Sequence, residues 1–261
     1  MKSDWLFSAS ALFLLNLLPG PALSQSEKEA TTAQVVAAMN EPMKDQTLTL
    51  HFEATMDGKP IGFGRSTLST TGSGRSGSFR YQMEMVVSLG DGTRIEGSST
   101  ASLNKLFEPT EVELRREVTT PNGKRQLTVD RAEILDKEVL LIRETDGGTR
   151  TEHSVSRPGS PFVFAVEFFV RRVDLRRFPV FALHEFDLQE GNVIVQHFKA
   201  ESKSGGIRRL VSREDDGSVG YAFEIDAEGE LVSWTEPPLP VVSKRCSRER
   251  FDELRKSMQG R

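Results

Sequence analysis

The sequence predicts a mainly β fold: one large curved antiparallel meander sheet, a half-barrel, covered by a helix, with short helices towards both ends. Three observations predict it. From residue 47 onward, apolar residues recur at every second position, the period of a strand that buries one face. Turn pairs such as Asp57-Gly58, Asp91-Gly92, Asn122-Gly123 and Asp216-Gly217 punctuate these runs. Their glycines accept the positive φ of a hairpin turn, and connections so short join only antiparallel neighbours. One segment breaks the rhythm: residues 160–173, Ser-Pro-Phe-Val-Phe-Ala-Val-Glu-Phe-Phe-Val-Arg-Arg-Val, read as a helix. A sheet this large must hide one face. A single apolar helix among strands favours a half-barrel wrapped around it; the alternative is a β-sandwich.

Residues 1–24 read as a signal peptide. Lys2 supplies the positive start, the stretch from Trp5 to Leu18 is mostly apolar, and Pro19-Gly20-Pro21 breaks it. Ala22 and Ser24 are small residues suited to cleavage before Gln25. The apolar run is shorter than the roughly 20 residues a membrane helix needs, so no transmembrane span is expected after cleavage. A leader retained as an anchor is the alternative. Residues 25–45 form a polar segment with a short helix, in which Ala33, Val36, Ala37 and Met39 make a weak apolar stripe before Pro42.

Residues 46–261 read as a single antiparallel β domain. Leu48, Leu50, Phe52 and Ala54 alternate with polar residues, and Ile61 and Phe63 resume the pattern after the first turn. Tyr81, Met83, Met85 and Val87 form the next inward row, whereas residues 94–103 are more polar and read as an edge strand. Further strands are expected over 109–119, 124–132, 139–143 and 149–155, and then over 180–187, 192–202, 207–213, 218–226 and 230–235. The covering helix is placed at 161–174, with Ser160 as its cap, Pro161 at its first position and Phe162, Val166, Phe169 and Val173 on one face. A C-terminal helix is placed at 247–258, capped by Ser247, with Phe251, Leu254 and Met258 inward.

Composition narrows the function classes. With 34 basic and 38 acidic residues and a net charge of −4, the chain has no field to collect nucleic acid. Cys246 is the single cysteine, so no disulfide forms within the chain. Secreted animal domains usually carry several, which points to the bacterial periplasm or envelope.

Motifs that carry chemistry are scarce. Gly72-Ser73-Gly74-Arg75-Ser76-Gly77 matches a dinucleotide fingerprint in letters. That motif must open a helix, and here a strand pattern follows, so a hairpin loop is expected. His51, His153, His184 and His197 each fall on an expected strand without metal-ligand spacing, and His51 is expected to face solvent. Cys246 precedes a helix, where the dipole can activate a thiol, but no nucleophile signature surrounds it. Arg171, Arg172, Arg176 and Arg177 read as a solvated helix end. No catalytic residue, cofactor or metal is assigned.

Asp57-Gly58-Lys59-Pro60-Ile61-Gly62-Phe63 resembles the opening of exported bacterial β-proteins. Asp226-Ala227-Glu228-Gly229-Glu230-Leu231-Val232, followed by the stretch 237–240 and a short helix, resembles their closing strands. Similar domains stand ahead of transglutaminase-like domains, which have no counterpart here, so the resemblance implies a fold and carries over no catalytic residue. In outline the expected architecture is also similar to periplasmic lipoprotein carriers, whose curved sheet covers an apolar cavity. The expected function is that of an exported, non-catalytic binding or scaffold module, whose partner is an envelope protein or an apolar ligand. One alternative is a carrier of a lipid or acyl chain, with Met83, Met85, Phe162, Val166 and Phe169 as candidate lining residues. The other is a hydrolase with residues gathered from distant strands.

Overall fold

A computed structural model of the chain describes residues 29–39, 47–71, 78–157, 159, 161–188, 192–202, 204–215, 217–235 and 241–259. The expected leader, the expected hairpin loop at 72–77, the expected cap Ser160 and the stretch 237–240 lie outside the described residues. Among the described residues, fourteen strands form one antiparallel sheet. The first wing runs β1 Leu48–Met56, β2 Lys59–Thr71, β3 Ser78–Ser88, β4 Arg94–Leu103, β5 Pro109–Thr119, β6 Arg125–Ile134, β7 Glu138–Thr145 and β8 Arg150–Ser156. The second runs β9 Val180–Asp187, β10 Asn192–Ser202, β11 Arg208–Glu214, β12 Val219–Ile225, β13 Leu231–Thr235 and β14 Val241–Arg245. Each wing is a meander. They join where β1 pairs with β14, so that β8 and β9 are the two edges of the sheet. The helices among the described residues are α1 Thr32–Ala38, α2 Val166–Val170 and α3 Arg248–Gln259.

The segment between the two edges fills the hollow of the sheet. Phe162, Phe168 and Phe169 are fully buried there, with Phe107, Phe181, Phe198 and Phe223 around them. Each such ring contributes about 1.5–3 kcal/mol by leaving water. Phe169 meets the Phe107 ring edge-on at 5.9 Å, and Phe162 lies 5.5 Å from Phe186.

The covering helix is shorter than the expected 161–174. Val163 is extended and pairs in parallel with β9, its N–H donating to the His184 carbonyl at 2.8 Å while the Phe186 N–H donates to the Val163 carbonyl at 3.3 Å. Ala165, with φ 62, turns the chain into five helical residues without a side-chain cap. The backbone around Val163 is therefore satisfied by a strand distant in sequence, which local periodicity does not reveal.

Two other expectations change. Residues 94–103 form β4, an interior strand held by β3 and β5, not an edge; its polarity comes from Gly97 and Ser99 on the buried face. The strand β14 was not expected at all. It is five residues long, and it joins the wings by pairing with β13 on one side and β1 on the other.

The outer face is partly covered. Ser247 Oγ caps α3 by accepting from the Arg250 N–H at 3.2 Å. Phe251 and Leu254 then pack on Phe63, with the two phenylalanine rings edge-on at 5.3 Å. His51 faces outward as expected but lies 5.0 Å from the Phe251 ring rather than in open solvent. Arg250 pairs with Glu53 at 2.8 Å. The N-terminal segment covers edge β9: the Ala30 N–H donates to the Val180 carbonyl, the Ala182 N–H donates to the Ala30 carbonyl, and Val35 and Val36 enter the core.

Candidate binding face

Antiparallel register places residues that share a face directly opposite one another. Across the concave side of the first wing this gives the row Leu48, Leu68, Tyr81, Ala101, Val112, Ala132 and Leu141, most of it buried under the covering segment. The next row reads Leu50, Ser66, Met83, Ser99, Leu114, Asp130 and Arg143, and the one after it Phe52, Gly64, Met85, Gly97, Arg116 and Thr128. Apolar packing thus gives way to a mixed surface within two residues along each strand.

The five candidate lining residues separate accordingly. Phe162 and Phe169 are 0 % exposed and Val166 is 4 % exposed, all packed in the main core. Met83 and Met85 are only partly buried. With Gly97, Leu114 and Arg116 they line a shallow pocket of about 10 Å³, the room of about one water molecule. Its wall is apolar.

Two residues unnoticed in the sequence define the spot. A Cβ built on Gly97 would meet nothing within 4 Å, and its φ is not in the left-handed region. Neither backbone geometry nor crowding requires glycine there. By contrast, a Cβ on Gly64, in the same row, would stand 2.1 Å from the Phe52 ring. Beside Gly97, Ser99 is 4 % exposed, and its Oγ is the one buried side-chain polar atom among the described residues without a hydrogen-bond partner. A buried hydroxyl left unpaired costs about 1–3 kcal/mol. The available signal was small polar residues at inward positions of an otherwise apolar alternation.

Charged groups border this surface. Glu167 of α2 accepts from the Tyr81 hydroxyl at 2.9 Å. Burial pushes its carboxyl pKa up; its own backbone N–H, Tyr81 and Ser66 oppose the shift without cancelling it. Asp130, 4 % exposed, accepts from Arg143 Nε at 2.5 Å. Arg171 donates to both Glu230 oxygens at 2.6 Å, and Arg245 reaches the same carboxylate at 3.0 Å, so Arg171 is tied to the sheet rather than ending free in solvent.

The remaining chemical candidates lie elsewhere. His197 stands between Glu29 and Asp215, each at 2.8 Å, and Thr32 Oγ1 lies 2.8 Å from His184 Nδ1. Among the described residues no group of three His, Cys, Asp or Glu side chains is arranged to hold a metal ion. Burial raises the Cys246 pKa, Glu53 adds to the rise and Arg250 opposes it, which keeps the group a thiol at neutral pH. No described helix is long and apolar enough to cross a membrane.

No family model matches the chain. No curated protein matches it. Among solved structures it is similar to the crystal structure of a beta-barrel-like protein of the domain of unknown function DUF1849 from Brucella abortus, at 10 % identity and a TM-score of 0.48, over 76 % of this chain and 95 % of that one.

Proposed function

We propose that this chain is an exported, non-catalytic binding module of the bacterial envelope, and that it binds through the concave surface of β3, β4 and β5 beyond the covering segment. The observation that supports this reading is the contrast on one face. The hollow is filled by the chain's own phenylalanines, while Met83, Met85 and Leu114 beside it stay partly exposed around an open glycine. A carrier that encloses its ligand would need Phe162 and Phe169 to leave the core, so an open-face site fits better.

The test is expression of the full chain with its leader in a bacterial host. The expected product is a periplasmic protein whose mass begins at Gln25. A photo-reactive residue in place of Met85 is expected to cross-link a discrete envelope component, whereas one in place of Ile142, on the opposite face, is not. An uncleaved cytoplasmic product, or equal labelling from both positions, would overturn the reading.

A further inference from the structure

We infer that the notch over Gly97 is a site for an aliphatic carboxylate, with its methylenes against Met83, Met85 and Leu114 and its carboxylate between the Arg116 guanidinium and the Ser99 hydroxyl. This rests on the binding-face reading above and names its ligand class.

The register supplies the geometry. Gly97 stands directly between Met85 on β3 and Arg116 on β5, and Ser99, two residues on, stands between Met83 and Leu114. Ser99 and Arg116 are therefore diagonal neighbours across β4 and β5, a spacing that long side chains bridge. The space over Gly97 that no atom fills is lined by both methionines, Leu114 and the apolar part of the Arg116 side chain, and Ser99 lies buried two residues along β4. A glycine inside a regular ladder, with no bulge at its position, is a common mark of close approach by a ligand.

The chemistry follows from what lines the notch. Its wall is apolar, which favours methylenes over water. Methionines reshape at low cost, so the notch can deepen when Met83 and Met85 move aside. Ser99 Oγ then gains the acceptor it lacks. Arg116 is not without a protein partner, but a guanidinium offers five N–H donors in a fixed fork, so a ligand carboxylate can share it. Asp130, in the same cross-strand row as Ser99 and Leu114, is paired with Arg143 and does not repel an incoming anion as a bare charge would. A cationic head would instead face Arg116.

The test is a titration of the full chain, carrying ¹³C-methyl methionine, with sodium decanoate below its micelle concentration. Methyl decanoate and decylammonium serve as comparison probes. Saturable shifts of the Met83 and Met85 methyl signals with decanoate are expected. Binding is expected to weaken roughly tenfold for methyl decanoate, and by a similar factor for decanoate with Arg116→Gln, the loss of one charge-assisted hydrogen bond. Gly97→Leu is expected to abolish binding while leaving the melting temperature unchanged or raised. Absence of saturation at Met83 and Met85, equal affinity for decanoate and decylammonium, or full binding by Arg116→Gln would each overturn the ligand class. If a cross-link from position 85 persists without decanoate binding, the ligand class fails and the binding face stands. If both fail, the face itself is wrong.

Discussion

The two wings of the sheet handle a buried serine in opposite ways. In the second wing Ser212 is 0 % exposed, yet its Oγ donates to Gln196 Oε1 and accepts from the Tyr221 N–H, both at 2.7 Å. Gly220 makes room for this pair: a Cβ there would stand 2.1 Å from Gln196 Oε1 and 2.3 Å from Ser212 Oγ. In the first wing Ser99 is buried beside Gly97, its hydroxyl is unpaired, and the space over the glycine is open. The second wing is finished as a packed interior, with Phe181 stacked on Phe198 at 5.1 Å and Phe198 6.2 Å from Phe223. The first is finished only where the covering segment reaches. Small residues at inward positions are thus structural at Ser212 and Gly220 in the second wing and at Gly64 in the first, but unexplained by packing at Gly97 and Ser99.

That contrast can be broken by substitution. Gly220→Ala should destabilise most, by about 3 kcal/mol, because the new methyl drives apart a buried hydrogen-bonded pair. Urea midpoints would measure it, and a cost below about 1 kcal/mol would remove the steric role of Gly220. Ser212→Ala should cost about 2 kcal/mol, since Gln196 Oε1 and the Tyr221 N–H both lose a partner. Ser99→Ala should instead stabilise, by about 1 kcal/mol, because it removes a buried hydroxyl that has no partner. Gly97→Ala should stabilise by about 0.4–1 kcal/mol through the unfolded state. Equal losses at both serines would mean that the wings do not differ.

Two pH experiments sharpen the comparison further. Glu167 has a pKa raised above its unfolded value, so folding favours the protonated acid. Its contribution is complete below the ordinary carboxyl range and is lost as pH rises through the folded-state pKa. Glu167→Gln should therefore melt higher than wild type at pH 8, with the gap closing towards pH 4; a gap constant with pH would refute the burial argument. The smallest effect is local, at edge β9. Burial alone would lower the His197 pKa, but its bonds to Asp215 and Glu29 outweigh this and raise it. His184 nearby is lowered by burial. The His197 contribution is present below the unfolded histidine range and fades as pH rises through the folded-state pKa. Hydrogen exchange at the Ala182 amide, which bonds Ala30, should show His197→Asn losing more protection at pH 5.5 than at pH 8.5.

The strand rhythm was legible because alternation and turn glycines are local. Val180–Asp187 and Asn192–Ser202 were expected with those very bounds, and the capping serine of α3 was readable from its neighbours. What was not legible depended on partners distant in sequence. Val163 looks helical until β9 is beside it, and Val241–Arg245 looks like a tail until it meets β1. The polarity of β4 was visible but suggested an edge, because a strand alone does not show whether its neighbours lie on one side or both. Met83 and Met85 were noticed as adaptable side chains; Gly97 and Ser99 matter only for what surrounds them, which the sequence leaves unsaid.

The seam between β1 and β14 has a kinetic consequence. Residues 52–56 cannot find residues 241–245 until the chain is present through residue 245. A chain entering its folding compartment from its N-terminus can hence assemble one wing hairpin by hairpin, while β1 keeps a raw edge that only β14 covers. Closing so long a loop places folding among the slow β topologies, in the range of milliseconds to seconds. Until then the unpaired side of β1 is the place where a nascent molecule is most open to joining a stranger.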